Sequence, residues 1–419
     1  MADRNIFKTL NEAMDAARER EAHIELVIIP PPVDELTDEE DEVRNEVHDI
    51  VGEVELVDLD ISLDNDEGNE TNERKISWRK RNPKFDEIPQ TSSRYVQEKC
   101  ESLCEEIGHL PPIKIFEQFW DGVIHLFKEN SELYARQKNE HSYKLADGEL
   151  ERFFGILMLS GYHILPSQQM YWERSEDVSV PVVQASLPRD SYLQIKKWLH
   201  AGDNDNLDAT DRLTKIRPFL DLMKKNILRW GIHSEHLSID ESMVPYFGRC
   251  GLKMFLKGKP VRFGYKIWCL CDSQGFLYNF DVYTGRKSNQ PVQKTPLGTR
   301  VVRDMVSVIP HPSSHMVFFD NFFTSPELLI DLREAGFRAS GTIRENRFRQ
   351  APLQSHAQMK KKPRGFYETC TERGNNICIV KWHDNSPVGI ASNFEGPLPE
   401  STCTRWSAKE KKRITVSYI

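Results

Sequence analysis

Between Phe116 and Phe127 the apolar residues Phe116, Phe119, Trp120, Val123, Ile124 and Phe127 recur at steps of three and four. Steps of three and four place them on one face of an α-helix. Leu150, Phe154, Leu157 and Met158 repeat the step, and so do Phe219, Leu220, Met223 and Ile227. These stripes are core faces and predict a mainly helical region from about 95 to 232. From Leu237 the period shortens. "LSID" and "MVPYF" are short and apolar or alternating, "YKIWCLCD" (265–272) is a near-continuous apolar run, and "SQG" turns the chain. In "FLYNFDVYTG", Phe276, Tyr278, Phe280 and Val282 alternate with more polar residues, which predicts successive antiparallel strands. "HMVFFD" (315–320) reads as a further strand. "SPELLIDLREAG" reads as a helix with Ser325 as N-cap, Pro326 at N1, Glu327 in the first turn and Gly336 at its stop. "FRASGTIREN" adds a strand and turn, so a mixed α/β sheet is expected. After Phe348, "GFYETC" and "NNICIVKWHD" predict strands of a small β-rich unit.

Charge changes the picture at the N-terminus. Residues 1–73 hold 24 acids against 5 bases, a net of −19, which leaves 51 bases against 40 acids, or +11, in 74–419. The acidic stretch has too few apolar residues to offset its ordering entropy. Apart from a short amphipathic helix in "NIFKTLNEAMDAARER" (5–20), residues 1–73 are expected to be a disordered acidic tail. The basic remainder suits a polyanion partner. It opens with "ERKISWRKRNPKF", six bases within Arg74–Lys84 around Trp78, a hinge, a localisation signal or a strap on phosphates. The eight cysteines (100, 104, 250, 269, 271, 370, 378, 403) form no CxxC pair, and reduced intracellular thiols are expected. No apolar run approaches the roughly 18 residues of a membrane span.

Two carboxylates stand out. Asp240 in "LSIDESMVPYFGR" is followed by Glu241, and Asp320 in "VFFDNFF" by Asn321; each closes an apolar run. Carboxylates at neighbouring strand ends can share a hard cation. Two such ions about 4 Å apart support phosphodiester chemistry. Spacing alone favours a plainer reading, with Asp320 capping a turn and Asp240 a surface acid. Between them lies "KMFLKGKPVRFGYK", in which Lys253, Lys257, Lys259, Arg262 and Lys266 interleave with Phe255, Phe263 and Tyr265. That pattern suits a DNA backbone with a distorted base, or a lysine-protected strand edge.

These segments, with "VFFDNFFTSPELLIDLREAGFRASGTIREN", "FFGILMLSGYHILPSQQMYWE", "KKWLHAGDND" and "VKWHDNSPVGIASN", resemble the DDE/D domain of piggyBac transposases over roughly 74–419. The resemblance implies an α/β, RNase H-like core with an N-terminal helical region and a small β-rich insertion. The boundaries expected are 1–73 acidic tail, 74–235 helical dimerisation and DNA-binding region, 236–346 catalytic core, 347–405 insertion domain and 406–419 return to the core. Asp240 and Asp320 match the first and second catalytic, metal-ligating Asp residues, with Mg²⁺ or Mn²⁺ as the implied cofactor. Lys253, Lys257, Lys259, Arg262, Lys266 and Arg344 are the cations expected to face DNA. In the family, the segment resembling "SAKEKKRITV" leads into a "YN..MGGVD..D"-type motif with the third catalytic Asp. Here Ile419 follows instead, so two of three ligands, an incomplete core and a shortened form are expected. Three functions remain open: a nuclear DNA-binding protein without transposition activity, a transposase or endonuclease completed by a carboxylate in trans, and a scaffold whose acidic tail recruits nuclear partners. A homodimer and no membrane partner complete the expectation.

Overall fold

The computed structural model describes residues 76–83, 85, 92–248, 250–256, 260–285, 295–348, 351–374, 377–398, 401–407 and 411–418, with strand backbones at 6–7, 24–29 and 53–58. Two compact units divide the chain, residues 101–231 and residues 1–100 with 232–419.

The helices are α1 (Ser92–Ile107), α2 (Pro112–Phe119), α3 (Val123–Gln137), α4 (Glu149–Ser160), α5 (Pro181–Ser186), α6 (Arg189–Trp198) and α7 (Arg217–Trp230). The stripe from Phe116 to Phe127, expected as one helix, is split. Gly122 takes a left-handed φ of 76° and separates α2 from α3, a conformation that glycine adopts without strain. Buried Asn226 on α7 repairs the break: its side-chain amide donates to the carbonyls of Phe119 at 3.0 Å and Asp121 at 2.8 Å. Trp230 Nε1 donates to Gln118 O at 3.2 Å. The apolar stripe itself still converges, with the Phe127 ring 5.2 Å from Phe154 and 5.3 Å from Phe219.

The other unit holds β1 (Ile6–Phe7), β2 (Ile24–Ile29), β3 (Glu53–Asp58), β4 (Trp78–Arg79), β5 (His236–Pro245), β6 (Met254–Phe255), β7 (Phe263–Asp272), β8 (Leu277–Val282), β9 (Met316–Phe319), β10 (Arg338–Thr342), β11 (Tyr367–Glu372), β12 (Cys378–His383) and β13 (Pro387–Ser392). Its centre runs β8–β7–β5–β9–β10. The pairs β8/β7 and β7/β5 are antiparallel, while β5/β9 and β9/β10 are parallel. Three meander strands followed by two parallel ones make an RNase H-like sheet. Helices α8 (Leu297–Val306) and α9 (Pro326–Glu334) supply Val302, Met305, Leu328 and Leu329 to a core with Ile239, Trp268, Val317 and Ala339. Helix α9 has the ends read from sequence: Ser325 Oγ accepts from Leu328 N at 3.1 Å, Pro326 opens the helix, and Gly336 is left-handed.

Strands β11, β12 and β13, within 347–405, continue the same sheet, because β13 pairs antiparallel with β10 and leads on to β12, β11 and β4. Trp78, in the segment read as a basic strap, is half-buried with its ring 6.1 Å from Phe348. A short helix α10 (His356–Met359) precedes β11. Strands β14 (Ser401–Ser407) and β15 (Lys412–Tyr418) pair only with each other. Apart from the backbones of β1, β2 and β3, the expected acidic tail and its 5–20 helix lie outside the described residues. Among the described residues no helix is long and apolar enough to cross a membrane.

Candidate functional site

Alternation along β5 buries Leu237 and Ile239, each 1% exposed, and turns Ser238 and Asp240 outward. Strand β9 lies parallel with Ile239 opposite Phe319. One step further, each strand carries a carboxylate, Asp240 and Asp320, both exposed. Neighbouring strands are about 4.8 Å apart, so this register sets the two acids side by side.

Asp320 also makes the turn that follows it. Its Oδ1 accepts from Phe322 N at 2.8 Å, and its carbonyl accepts from Thr324 Oγ1 at 2.8 Å. The capping role and the strand-end position therefore belong to one residue. Gly341 on β10 backs this turn: a Cβ there would sit 2.4 Å from Thr324 Oγ1 and 2.7 Å from Phe319 O. Arg347 clamps the turn, with Nη1 donating to the carbonyls of Asn321 at 2.8 Å, Phe322 at 2.7 Å and Thr324 at 3.2 Å. Arg344 Nε donates to Asn321 Oδ1 at 3.0 Å. Sequence reasoning missed Arg347, whose only signal is its place three residues after Arg344. Arg347→Met is expected to destabilise the chain by about 1–3 kcal/mol, the cost of stripping a charged donor from part-buried carbonyls. Urea unfolding checks this, and a midpoint equal to the parent's would show that the clamp contributes nothing.

Asp240 accepts from Glu241 N at 2.8 Å. Across β7 it faces Cys269, and Ser238 faces Cys271. The hydrogen bond with Cys271, burial and the charge of Asp240 push the Cys269 thiol far above its ordinary range. The same hydrogen bond draws Cys271 down. The pair Asp240 and Asp320 offers carboxylate oxygens, which fit a hard divalent cation. Among the described residues no group of three His, Cys, Asp or Glu side chains is arranged to hold a metal ion.

The cations read from sequence separate. Arg262 is exposed. Lys253 is half-buried, and burial lowers its pKa. Lys257 and Lys259 lie outside the described residues. Lys266 requires a correction: it is 4% exposed, with Nζ 4.2 Å from the Trp268 ring and 5.1 Å from the Phe322 ring. The two-residue period of β7 puts Lys266 in phase with Trp268 and Leu270, on the core side. Trp268 stacks on Phe322 at 5.5 Å and 15°, so Lys266 supports the Asp320 turn from within and cannot meet a phosphate at the surface. The structure thus gathers Asp240, Asp320 and, through Asn321, Arg344.

A family model described as Transposase IS4, a piggyBac-type DDE model, matches residues 111–418. The chain belongs to the piggyBac-type transposase family. It is 38% identical over 309 residues to PiggyBac transposable element-derived protein 3 of Homo sapiens, covering 73% of this chain and 52% of that protein. It is 37% identical over 310 residues to PiggyBac transposable element-derived protein 2 of Homo sapiens, with the same two shares. The chain spans about half the length of these curated relatives. A cryo-EM structure of a piggyBac transposase synaptic complex with hairpin DNA matches with a TM-score of 0.59 at 24% identity, covering 70% of this chain and 62% of that one. That likeness is one of fold. As in a piggyBac-type transposase, the mixed sheet built on β5, β7, β8, β9 and β10 is the RNase H-like DDE fold.

Proposed function

We propose that this chain is a DNA-binding piggyBac-type protein whose Asp240–Asp320 pair takes one Mg²⁺ or Mn²⁺, and that residues 1–419 do not carry out strand transfer by themselves. The observation that carries this reading is the β5/β9 register, which sets two carboxylates together at one place on the sheet. When bound, such an ion would polarise a phosphodiester oxygen. Asp240 and Asp320 would orient it, and the Arg347 clamp would hold Asp320 in place. DNA as the partner is supported by the +11 balance of residues 74–419 and by the hairpin DNA in the solved relative. The same reading carries the nucleus as compartment. It also carries self-association through the helical unit, where Tyr162 and Ile164 are 78% and 82% exposed.

Duplex binding tests the reading. Affinity of the full chain for a labelled duplex, followed by fluorescence anisotropy, is expected to fall linearly on a log–log plot against salt as counterions are displaced. Replacing the seven acids between Asp34 and Glu42 by their amides is expected to tighten binding at low salt, because those charges repel the same phosphates. No binding at low salt, or no effect of the amides, would remove the electrostatic basis of the proposal.

A further inference from the structure

Strands β14 and β15 pair from Ser401↔Tyr418 to Ser407↔Lys412, which sets Trp406 directly opposite Arg413. Trp406 is 60% exposed, and Thr404 and Thr415 on the same face are exposed too. A tryptophan left so far in water forgoes much of the burial that usually retains it. The backbone beneath it is nevertheless anchored. Arg364 Nη1 donates to Trp406 O at 2.9 Å, Arg364 Nε pairs with Asp384, and Arg405 Nε lies 3.5 Å from the same carboxylate. Arg364 also ends the loop "KKKPR", in which Lys360, Lys361 and Lys362 are exposed. The carbonyl of Lys362 lies 2.9 Å from His383 Nδ1. Arg364 therefore ties a lysine loop and an indole-bearing hairpin into one surface. Asp384, the acid at its centre, is already engaged by two arginines.

We propose that this surface binds single-stranded nucleic acid, with Trp406 as the platform for an unpaired base and Lys360, Lys361, Lys362 and Arg413 on the flanking phosphates. Charge complementarity selects a polyanion. The exposed indole selects one with accessible base faces, since every base stacks on an aromatic ring irrespective of sequence. A duplex keeps its base faces stacked and would use only the cations. An acidic peptide would likewise use the cations and leave the ring without a planar partner. The site goes beyond the duplex reading at Asp240 and Asp320, and that reading can fail without affecting it.

The test uses the full 419-residue chain, a labelled dT12 strand and a labelled 12-base-pair duplex, with affinities from anisotropy. Trp406→Ala is expected to weaken dT12 binding by roughly five- to a hundred-fold, the range for loss of one base–aromatic stack, and to change duplex binding less than twofold. Trp406→Phe, which keeps a ring, is expected to restore most of the dT12 affinity and controls for folding. The double variant Lys361→Glu/Arg413→Glu is expected to flatten the salt dependence of dT12 binding by about 1.4 in log–log slope, two phosphate contacts' worth. Unchanged dT12 affinity in Trp406→Ala overturns the proposal. So does competition by a Glu12 peptide that displaces dT12 equally from the parent and from Trp406→Ala, which would make the surface a docking site for acidic protein.

Discussion

DNA ends incubated with residues 1–419 in Mg²⁺ or Mn²⁺ are expected to emerge without a nick or a hairpin. Phosphoryl transfer leaves little covalent work for a protein, so its rate rests on positioning and on stabilising charge. A two-ion site needs ligands that fix both the attacking and the leaving oxygen. Asp240, within β5, and Asp320, just past β9, stand together, but each is already oriented by a backbone N–H, from Glu241 and Phe322. A pair of this kind holds one ion and leaves the second oxygen unguided. Removing single members of catalytic groups costs several orders of magnitude in rate, and a two-carboxylate site is expected to show a loss of that size. Calorimetric titration with Mn²⁺ should accordingly give one weak site, lost in Asp240→Asn. Cleavage by the parent that vanishes in both Asp240→Ala and Asp320→Ala would refute this, and would point to a carboxylate from a second chain or from outside the described residues.

Acid is expected to destabilise the sheet unit steeply between pH 6.5 and 4. His233 is 3% exposed, stacks on Tyr278 at 4.7 Å, and has no hydrogen-bond partner at either ring nitrogen among the described residues. Burial, then the neighbouring His315 and then Lys99, hold its pKa down at about 4, from an ordinary value of 6.5. His315, 5.9 Å away and fully buried, is lowered too, chiefly by burial. Arg338, His311 and Glu235 act on His315, while Asp272 spends a carboxylate oxygen on the Tyr278 hydroxyl at 3.0 Å. Between pH 4 and 6.5 the unfolded chain binds the His233 proton and the folded chain does not. Stability is therefore complete above pH 6.5 and lost as pH falls toward 4, by about 3 kcal/mol for His233 alone. His233→Phe keeps the ring over Tyr278 and removes the titration. Its urea midpoint at pH 7 should equal or exceed the parent's, and its fall between pH 6.5 and 4 should be shallower by one proton's linkage. A pH dependence identical to the parent's would show that His233 is not the group responsible.

Much of this was legible in the chain because it is written in local periods. Steps of three and four marked the faces of α3 and α7; on α4 the buried residues are Leu150, Phe153 and Ile156, and Leu157 and Met158, expected in the core, are 40% and 44% exposed. A near-continuous apolar run marked β7 and alternation marked β8, and the Ser325–Pro326 start and Gly336 stop of α9 depend on backbone groups a few residues away. Asp240 and Asp320 could be named because each ends an apolar run. Their meeting could not be read from spacing, since 80 residues separate them and only the β5/β9 register brings them together. Lys266 shows the limit most plainly. As a letter it is a surface cation; in β7 its phase carries it to the Trp268 side, where an aromatic cluster takes its charge.

Sequence by itself determined the helical stretch ahead of the central strands, the acidic first segment and basic remainder, and the two acids that close apolar runs, because each depends on neighbours within one turn or one pleat. Tertiary structure alone decided the break at Gly122 that Asn226 repairs, the burial of Lys266, and the continuation of the sheet from β10 through β13 to β4. It also decided the clamp of Arg347 on the Asp320 turn. Each of these is a contact between segments far apart in the chain, and what a side chain meets there depends on how the elements pack.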